Sequence, residues 1–261
     1  MIRFEKYHGT GNDFIFVYDQ PENPSQSAIK LCDRHFGIGA DGLMFAQTSE
    51  IADIKMSYYN SDGTHATMCG NGLRCFVRFV TNNNIINKTE FVVETDAGLI
   101  PVKVQEDGIE LRLNRERNTL TEDESKLPLH NYIPIELEHT LIYGVFIGTL
   151  HGVVFVDNFN QIDKIGPRLT SNPNFPQLIN INFVQVINNT LIEVRTHERG
   201  AGWTLSCGTG VCASTVISYA LGKTNKEVNV QTLGGELNVR CEEDGIYLKG
   251  PAKWIARGET E

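Results

Sequence analysis

Two short cysteine motifs carry the chemistry that this sequence most directly suggests. The first is Cys69-Gly70-Asn71-Gly72, and the second, near the other end of the chain, is Cys207-Gly208-Thr209-Gly210. Each motif opens a stretch with helical character, so both cysteines are predicted to lie at helix N-termini. Backbone N–H groups and the positive end of the helix dipole favour a thiolate there, and they provide a seat for a carboxylate or phosphate. The matching settings predict a site that uses two thiols.

Two thiols on opposite faces of one substrate carbon could invert its configuration. A thiolate would remove a proton from one face, and a thiol would deliver one to the other. A hydrogen alpha to a carboxylate is weakly acidic, so the site must stabilise the charge that grows on that carboxylate. Two helix N-termini supply fixed dipoles for this purpose. The two thiols and the two helix N-termini then supply the base, the acid and the charge stabilisation without a cofactor. No lysine stands in a sequence typical of pyridoxal phosphate binding.

The polar residues upstream of the second motif suit an amino acid substrate. Glu198 could hold an ammonium group, and Arg199 could bind a second carboxylate in bidentate fashion. Turns that contain Asn12, Asn60 and Asn180 place further amide side chains where they could reach a ligand. We therefore expect an amino acid as the partner of this site.

The elements that must position the two cysteines follow from the hydrophobic pattern. After the first motif, apolar residues recur on one helical face, and after the second, residues 211–221 are small or apolar nearly all round, as in an enclosed helix. A further helix is predicted from Ser25 or Ser27 to Phe36. Strands are predicted at 2–7, 14–18, 43–46, 53–59, 90–95, 98–105 and 108–114.

The second half of the chain repeats the order of the first: apolar strand, short helix, strands, cysteine helix and closing strands. In this comparison His151-Gly152 is matched with His8-Gly9. A polar stretch over residues 114–127 separates the two halves. The predicted domains are residues 1–117 with about 250–261, carrying Cys69, and residues 118–249, carrying Cys207. We expect the active site in the cleft between them.

Length and composition exclude several classes of protein. The 261 residues are 41% hydrophobic, enough for a substantial core in one large domain or two ordinary ones. A net charge of −9 argues against nucleic acid as a partner. There is no apolar run of membrane-spanning length and no signal-peptide pattern, so we expect no membrane contact and a cytoplasmic location. The six cysteines are then expected to be thiols.

Other interpretations of the cysteines explain less of the sequence. A zinc site is disfavoured by the spacing within the pairs Cys69/Cys75 and Cys207/Cys212. A cysteine hydrolase with His151 or His197 as its base leaves the second Cys-Gly-x-Gly motif unexplained. A non-enzymatic amino acid-binding protein of the same fold would be expected to have lost one cysteine. We expect no metal.

Two further patterns are interpreted as structural. Gly37-Ile38-Gly39-Ala40-Asp41-Gly42 matches a dinucleotide-binding fingerprint by its letters, but it follows a predicted helix and leads into a strand. We interpret it as a helix-to-strand turn. His8 and His151 stand beside glycines at strand starts and are interpreted as turn anchors rather than catalytic groups.

Six motifs taken together resemble the diaminopimelate epimerase family, and they span essentially the whole chain in order. They are His8-Gly9-Thr10-Gly11-Asn12-Asp13-Phe14, Arg34-His35-Phe36-Gly37-Ile38-Gly39-Ala40-Asp41-Gly42, Asn60-Ser61-Asp62-Gly63, Met68-Cys69-Gly70-Asn71-Gly72-Leu73-Arg74-Cys75, Glu198-Arg199-Gly200-Ala201-Gly202 and Cys207-Gly208-Thr209-Gly210. The resemblance implies an α+β (α/β) fold of two pseudo-symmetric halves, each a curved, mostly antiparallel sheet around a central helix.

The resemblance also implies a function and a set of site residues. The implied reaction is the cofactor-independent conversion of LL-diaminopimelate to the meso form, for lysine and peptidoglycan synthesis. Cys69 and Cys207 are implied to be the acid/base pair. The implied substrate contacts are Asn12, Asn60, Gly70, Asn71, Asn180, Glu198, Arg199, Gly208 and Thr209.

The sequence departs from the family pattern near both cysteines. Before the first, His65 and Thr67 stand where acidic residues are common. Gly148-Thr149-Leu150-His151 stands where the family usually has Gly-Asn-Pro-His, and Gly202-Trp203-Thr204 stands where it has Gly-Glu-Thr. We therefore expect Thr149 and Trp203 to influence specificity, because a lost hydrogen bond to a buried polar substrate group changes selectivity strongly. Trp203 would suit an aromatic or less charged distal end. A racemase acting on another amino acid, such as histidine, remains an alternative, and a homodimer is left open.

Overall fold

The computed structural model describes residues 1–117, 120–121, 123–127 and 132–260. The chain divides into two compact units, Met1–Arg112 with Lys249–Glu261, and Leu113–Leu248. Part of the polar stretch that suggested a domain boundary, including Glu122, lies outside the described residues.

The first unit combines a mixed sheet with two helices. Its elements are β1 (Ile2–Gly9), β2 (Asn12–Val17), α1 (Pro24–Cys32), β3 (Gly42–Gln47), β4 (Ile54–Asn60), α2 (Gly70–Asn82), β5 (Glu90–Thr95), β6 (Gly98–Gln105) and β7 (Gly108–Leu113). Neighbouring strands pair in chain order. The pairs β2–β3 and β4–β5 are parallel, each with a helix in the connection, and the other pairs are antiparallel.

The second unit is built in the same way. Its elements are β8 (Ile135–Leu137), β9 (Thr140–Phe146), β10 (Leu150–Phe155), α3 (Ile162–Thr170), β11 (Asn180–Asn188), β12 (Leu191–Glu198), β13 (Gly202–Thr204), α4 (Gly208–Ala220), β14 (Glu227–Thr232), β15 (Gly235–Glu242) and β16 (Gly245–Gly250). The parallel pairs are β10–β11, across α3, and β12–β14, across α4. A last strand, β17 (Lys253–Thr260), pairs antiparallel with β1 of the first unit.

The strand pairings of the two units follow the same series. From β1 to β6, antiparallel pairs alternate with parallel pairs, and each parallel pair is connected through a helix. The same alternation runs from β9 to β15. This repeat confirms the predicted α+β fold of two pseudo-symmetric halves. The match of His151 with His8 is wrong, however. His151 begins the parallel pairing of β10 with β11, as Phe14 begins that of β2 with β3, so His151 occupies the position of Phe14.

The two cysteine helices are the most enclosed elements of their units. Helix α2 packs against β1, β2, β3 and β6, and α4 packs against β9, β10, β11, β12, β14 and β15. All residues from Gly70 to Val77 and from Gly210 to Ser218 are buried. Burial on all sides explains why the α4 sequence lacks a polar face.

Helix α1 is shorter than its sequence suggested. It begins after Asn23, whose side chain accepts a hydrogen bond from the Gln26 N–H at 3.2 Å, and Pro24 occupies its first turn. It ends at Cys32 because the Asp33 carboxylate accepts the N–H groups of His35 and Phe36 and closes a turn. The Gly-rich segment that follows forms the predicted helix-to-strand turn into β3. Within the described ranges, no helix has the length and apolar character needed to cross a membrane.

Candidate active site

Cys69 is the N-cap residue of α2. Its backbone is extended, with φ −141° and ψ 120°, and its sulfur accepts a hydrogen bond from the Gly72 N–H at 3.4 Å. The thiol donates to Oδ1 of Asn12 at 3.5 Å. The sequence prediction that this cysteine starts a helix is confirmed, and the structure adds a direct contact with one of the predicted substrate-binding side chains.

Asn12 is held by a charged cluster at the start of β2. Its Nδ2 donates to Oδ2 of Asp41 at 2.5 Å, and the same oxygen accepts the Asp13 N–H. Arg34 bridges the two carboxylates, at 2.7 Å from each, and Lys6 lies 2.8 Å from Asp13. The nearby cations hold the pKa of Asp13 below its usual range despite partial burial, which alone would raise it. Sequence reasoning missed Asp41 because its segment was interpreted only as a turn.

Asn71 and Asn60 make intramolecular hydrogen bonds. Oδ1 of Asn71 accepts from the Arg74 guanidinium at 2.9 Å, and Arg74 itself is fully buried and donates further to the carbonyl of Pro251 at 3.3 Å. Nδ2 of Asn60 donates to the Thr64 hydroxyl at 3.0 Å in the turn after β4. Arg74 therefore supports the start of α2 from within the first unit.

Cys207 is the N-cap residue of α4 in a matching extended conformation, with φ −112° and ψ 113°. It is 7% exposed, and its sulfur lies 3.7 Å from the Thr209 hydroxyl. Burial raises the pKa of its thiol well above the ordinary value, and the Glu198 carboxylate raises it further. The pKa of this thiol is therefore raised, not lowered as its place at a helix start suggested, because burial disfavours the charged thiolate. The stable form of Cys207 is the thiol.

Glu198 lies at the end of β12 beside Cys207. Its Oε1 accepts a hydrogen bond from the Thr204 hydroxyl at 2.6 Å, and its carboxylate also accepts one from the Cys207 thiol. Burial raises the pKa of Glu198, while these two hydrogen bonds lower it. The Glu198 carboxylate is therefore a candidate acceptor for the Cys207 proton.

Asn180 and Arg199 meet at the ends of neighbouring strands. Oδ1 of Asn180 accepts the backbone N–H of Arg199 at 2.9 Å, while the Arg199 guanidinium is exposed and donates to the Gln177 carbonyl at 3.1 Å. Thr149 lies just before β10, and its hydroxyl is buried without a hydrogen-bond partner among the described residues. A buried hydroxyl of this kind is costly unless a ligand or water satisfies it, which keeps Thr149 as a candidate contact.

Trp203 lies on the other face of β13. It packs edge-on against His197, with ring centroids 5.1 Å apart, and near Phe183 at 5.9 Å. It joins the apolar cluster under α3, where its ring lies close to Gly166. Side chains alternate across a strand, so Thr204, not Trp203, shares the face of Glu198. This packing argues against the expected role of Trp203 as a contact for the distal end of a substrate.

His151 is the most unexpected member of the second unit. It is fully buried on the α4 side of the sheet, and so are Asn182 and Thr196, which no motif indicated. The interpretation of His151 as a turn anchor is wrong, whereas Nδ1 of His8 does accept the Gly11 N–H in the β1–β2 turn. A sequence signal existed: polar residues alternate with apolar ones along the start of β11.

Each unit thus offers the same chemical parts. A cysteine occupies the N-cap position of a helix, backbone N–H groups of the first turn follow it, and polar side chains from neighbouring strands lie nearby. Helix N-termini bind carboxylates, and a thiol can donate or accept a proton. Among the residues that the structure describes, no cluster of three or more His, Cys, Asp or Glu side chains could hold a metal ion.

The fold is similar to that of solved racemase, epimerase and PhzF-type proteins. The chain is similar over 100% of its length to a solved phenazine biosynthesis protein of the PhzF family from Bacillus anthracis, with a TM-score of 0.72, 16% identity and 99% of that chain covered. A solved hydroxyproline epimerase from Agrobacterium vitis gives a TM-score of 0.70 at 14% identity, covering 98% of this chain and 91% of that one. At these identities the likeness shows the fold.

Sequence comparison gives the family. The family model described as diaminopimelate epimerase matches residues 4–119 and 143–255. A diaminopimelate epimerase from Caldanaerobacter subterraneus is 41% identical, with 100% of both chains covered, and one from Alkaliphilus metalliredigens is 40% identical, covering 98% of this chain and 96% of the relative. The chain belongs to the diaminopimelate epimerase family, a family of isomerases, which confirms the resemblance seen in the motifs.

Proposed function

We propose that this protein interconverts LL- and meso-diaminopimelate by a two-base thiol mechanism without a cofactor. The observation that carries the proposal is the pair of N-cap cysteines, Cys69 and Cys207, each opening the enclosed helix of its unit. Family membership over nearly the whole chain supports the substrate. The reaction would serve lysine and peptidoglycan synthesis.

The mechanism needs one thiol on each face of the substrate α-carbon. In one direction Cys69 would act as the base and Cys207, held as a thiol by burial and by Glu198, would donate the proton. In the reverse direction the roles exchange, and the neighbouring Glu198 carboxylate would accept the Cys207 proton. The N–H groups of Gly70, Asn71, Gly208 and Thr209 would stabilise the charge that develops on the α-carboxylate.

The remaining predicted contacts would recognise the rest of the substrate. Glu198 suits an ammonium group, and Arg199 suits the distal carboxylate, because its guanidinium is exposed and bound only weakly to a carbonyl. Asn12, Asn60 and Asn180 place amide groups near the ends of their strands. The buried hydroxyl of Thr149 would take the place of the asparagine that is usual in the family.

The direct test is exchange of the α-proton in heavy water. LL- or meso-diaminopimelate is incubated with the enzyme, and incorporation of deuterium is followed by mass spectrometry. We expect exchange with diaminopimelate and none with histidine. Exchange confined to histidine or another monocarboxylate would keep the mechanism and contradict the substrate. Absence of exchange with any α-amino acid would contradict both.

Single variants test the two-base model. Cys69→Ala and Cys207→Ala should each abolish epimerisation, whereas Cys241→Ala on β15 should retain it, since that cysteine belongs to no motif. Full epimerase activity in either of the first two variants would exclude the proposed acid/base pair.

The setting of the enzyme is part of the proposal. The cysteines form no disulfide, which suits the proposed reducing, cytoplasmic location. A homodimer is proposed as the assembly, and light scattering after size exclusion checks it. A mass near twice the 29.2 kDa of one chain is the expected result, and a mass of one chain would contradict it.

A further inference from the structure

A fully buried arginine lies at the first turn of α2. Arg74 is 0% exposed, although its guanidinium carries a permanent positive charge. A buried charge is costly unless hydrogen bonds offset the loss of water. Counted from the N-cap cysteine, the equivalent position in the second unit is Cys212, whose buried side chain is much smaller. The helix start can therefore be built without a guanidinium, and Arg74 needs a separate reason.

Arg74 distributes its hydrogen bonds over three segments of the first unit. Nη1 donates to the Gly70 carbonyl at 3.4 Å, and Nε donates to the Pro251 carbonyl at 3.3 Å. Nη2 donates to Oδ1 of Asn71 at 2.9 Å and to the Thr10 hydroxyl at 3.5 Å. The guanidinium therefore joins the first turn of α2 to the β1–β2 turn and to the connection between β16 and β17. Its planar fork suits several acceptors at once.

Thr10, Asn71 and Arg74 are each bonded to the other two. The Thr10 hydroxyl accepts from Nη2 of Arg74 and donates to Oδ1 of Asn71 at 3.4 Å. Oδ1 of Asn71 has two lone pairs and accepts from both partners. All three side chains are buried, so these bonds are shielded from water. Because a guanidinium only donates, it also fixes which end of the Asn71 amide faces it.

The β1–β2 turn has a conformation that is unfavourable by itself. The φ of Thr10 is 50°, a left-handed value that β-branched residues rarely adopt, and Gly11 follows with φ 88°. Backbone strain of this kind persists only where the surrounding structure fixes the conformation. The hydrogen bonds of the Thr10 hydroxyl to Arg74 and Asn71 do so here. The turn therefore depends on the start of α2 for its shape.

The turn is also packed closely on the helix. A Cβ placed on Gly9 would lie 2.9 Å from the backbone oxygen of Asn71 and 3.2 Å from Nη2 of Arg74, so the end of β1 rests directly on the start of α2. Beyond the turn, Oδ1 of Asn12 accepts a hydrogen bond from the Cys69 thiol at 3.5 Å. Any shift of the turn relative to the helix therefore moves Asn12 relative to that sulfur.

We propose that Arg74 is a positioning residue that ties the β1–β2 turn to the start of α2 and so holds Asn12 and Cys69 in one arrangement. Thr10 is the side chain through which it acts on the turn, and Asn71 is the one through which it acts on the helix. This role rests on the proposed epimerase function, in which Cys69 is the base in one direction. Arg74 takes no part in proton transfer.

The link is testable without substrate by amide hydrogen exchange and mass spectrometry. In Arg74→Met we expect the peptide covering residues 8–13 to exchange about tenfold faster than in the wild type, relative to the peptide of β6, because the turn loses its partners. Arg78→Met, at a half-buried position one turn further along α2, is the matched control and should leave the turn unchanged. An unchanged turn in Arg74→Met would overturn the proposal whether or not the protein is an epimerase.

Two variants of Thr10 separate its hydroxyl from its shape. Thr10→Val keeps the β-branched shape but loses the hydroxyl, whereas Thr10→Ser keeps the hydroxyl. We expect exchange in residues 8–13 to be faster in Thr10→Val and near the wild-type rate in Thr10→Ser. Equal rates in the two variants would contradict a link through the hydroxyl.

Kinetics test whether the link serves catalysis. Arg74→Lys keeps the charge but not the planar fork, and it should lower kcat about 10- to 100-fold with a smaller change in KM, as should Thr10→Val. The double variant should lose little more than either single variant, because both changes break the same link. Losses that multiply, or an unchanged kcat in the folded single variants, would contradict the proposal. Wild-type protein that exchanges no α-proton would contradict the proposed function instead, while the amide exchange result would still stand.

Discussion

Asn12 connects Asp41 to Cys69 through the two ends of one amide group. Its Nδ2 donates to the Asp41 carboxylate at 2.5 Å, and its Oδ1 accepts from the Cys69 thiol at 3.5 Å. Because the carboxylate accepts only, it fixes which end of the amide faces the sulfur. Arg34 holds the carboxylate in place at 2.7 Å.

We expect Asp41→Asn to weaken catalysis through Asn12. A neutral amide at position 41 can donate as well as accept, so the Asn12 amide can flip and Cys69 loses its hydrogen bond to Asn12 Oδ1. We expect kcat to fall by about 10- to 100-fold, with a smaller change in KM. Steady-state kinetics with a folding check by circular dichroism measures this. Asp53→Asn, which affects an ion pair with Lys88 in the same unit, is the control. Equal kcat values in the two variants would contradict the role.

Glu198→Gln should make Cys207 more reactive towards alkylation. The carboxylate charge contributes to the raised pKa of the thiol, so its removal lowers that pKa while burial remains. At pH 8 a larger fraction is then thiolate, and iodoacetamide should modify Cys207 faster than in the wild type. Mass spectrometry of digested protein gives the rate, with the Cys32 peptide as an internal reference. A slower or unchanged rate would show that the charge does not act on the thiol.

Acid should destabilise the protein partly through His151. Its pKa is lowered from 6.5 to about 3 in the folded chain, so the unfolded chain binds a proton first as the pH falls. The associated stability is complete above about pH 6.5 and is lost progressively towards pH 3. Between pH 7 and pH 4, wild type should lose on the order of 3 kcal/mol more than His151→Phe, which carries the residue found at the equivalent position of the first unit. Urea unfolding at the two pH values provides the comparison.

Gly210→Ala should cost more stability than Gly72→Ala. The new methyl at Gly210 meets Asn182 Oδ1 at 2.3 Å, and Asn182 is held by hydrogen bonds on both ends of its amide. At Gly72 it meets the end of the Met44 side chain, which can move to another rotamer. We expect about 1–3 kcal/mol of destabilisation for Gly210→Ala and less for Gly72→Ala, measured by denaturant unfolding. The reverse order would mean that the hydrogen bonds of Asn182 are weak.

Trp203→Phe should change stability without changing substrate preference. The indole packs against Phe183, His197 and Gly166 in the cluster under α3, and the loss of part of this contact lowers the free energy of unfolding. The ratio of kcat/KM for diaminopimelate to that for other amino acids should remain that of the wild type. A changed ratio would restore Trp203 as a specificity residue. Thr149→Asn is the companion variant that should change the ratio.

Local features of this protein could be predicted well from its residues. The helix starts at Cys69 and Cys207 follow from the Cys-Gly-x-Gly steps and the apolar periodicity after them, because capping and periodicity depend on near neighbours in the chain. Strands β3 to β7 were predicted at nearly their observed bounds for the same reason. The duplicated order of elements was also visible, although its alignment at His151 was wrong, because single letters do not show strand register.

Tertiary structure alone decided how the site is supported. Asn12 and Asp41 are 29 residues apart, and His151 and Asn182 are 31 apart, and parallel strand pairing brings each pair together. Tertiary structure also decided that Trp203 faces the apolar cluster under α3. Side chains alternate between the two faces of a strand, so a register shift of one residue would place it on the other face. The pKa of Cys207 followed burial and the neighbouring Glu198 rather than its helix start. The sequence by itself therefore determined which groups can react, while long-range packing determined their charge, orientation and partners, because desolvation and hydrogen bonding depend on residues far apart in the chain.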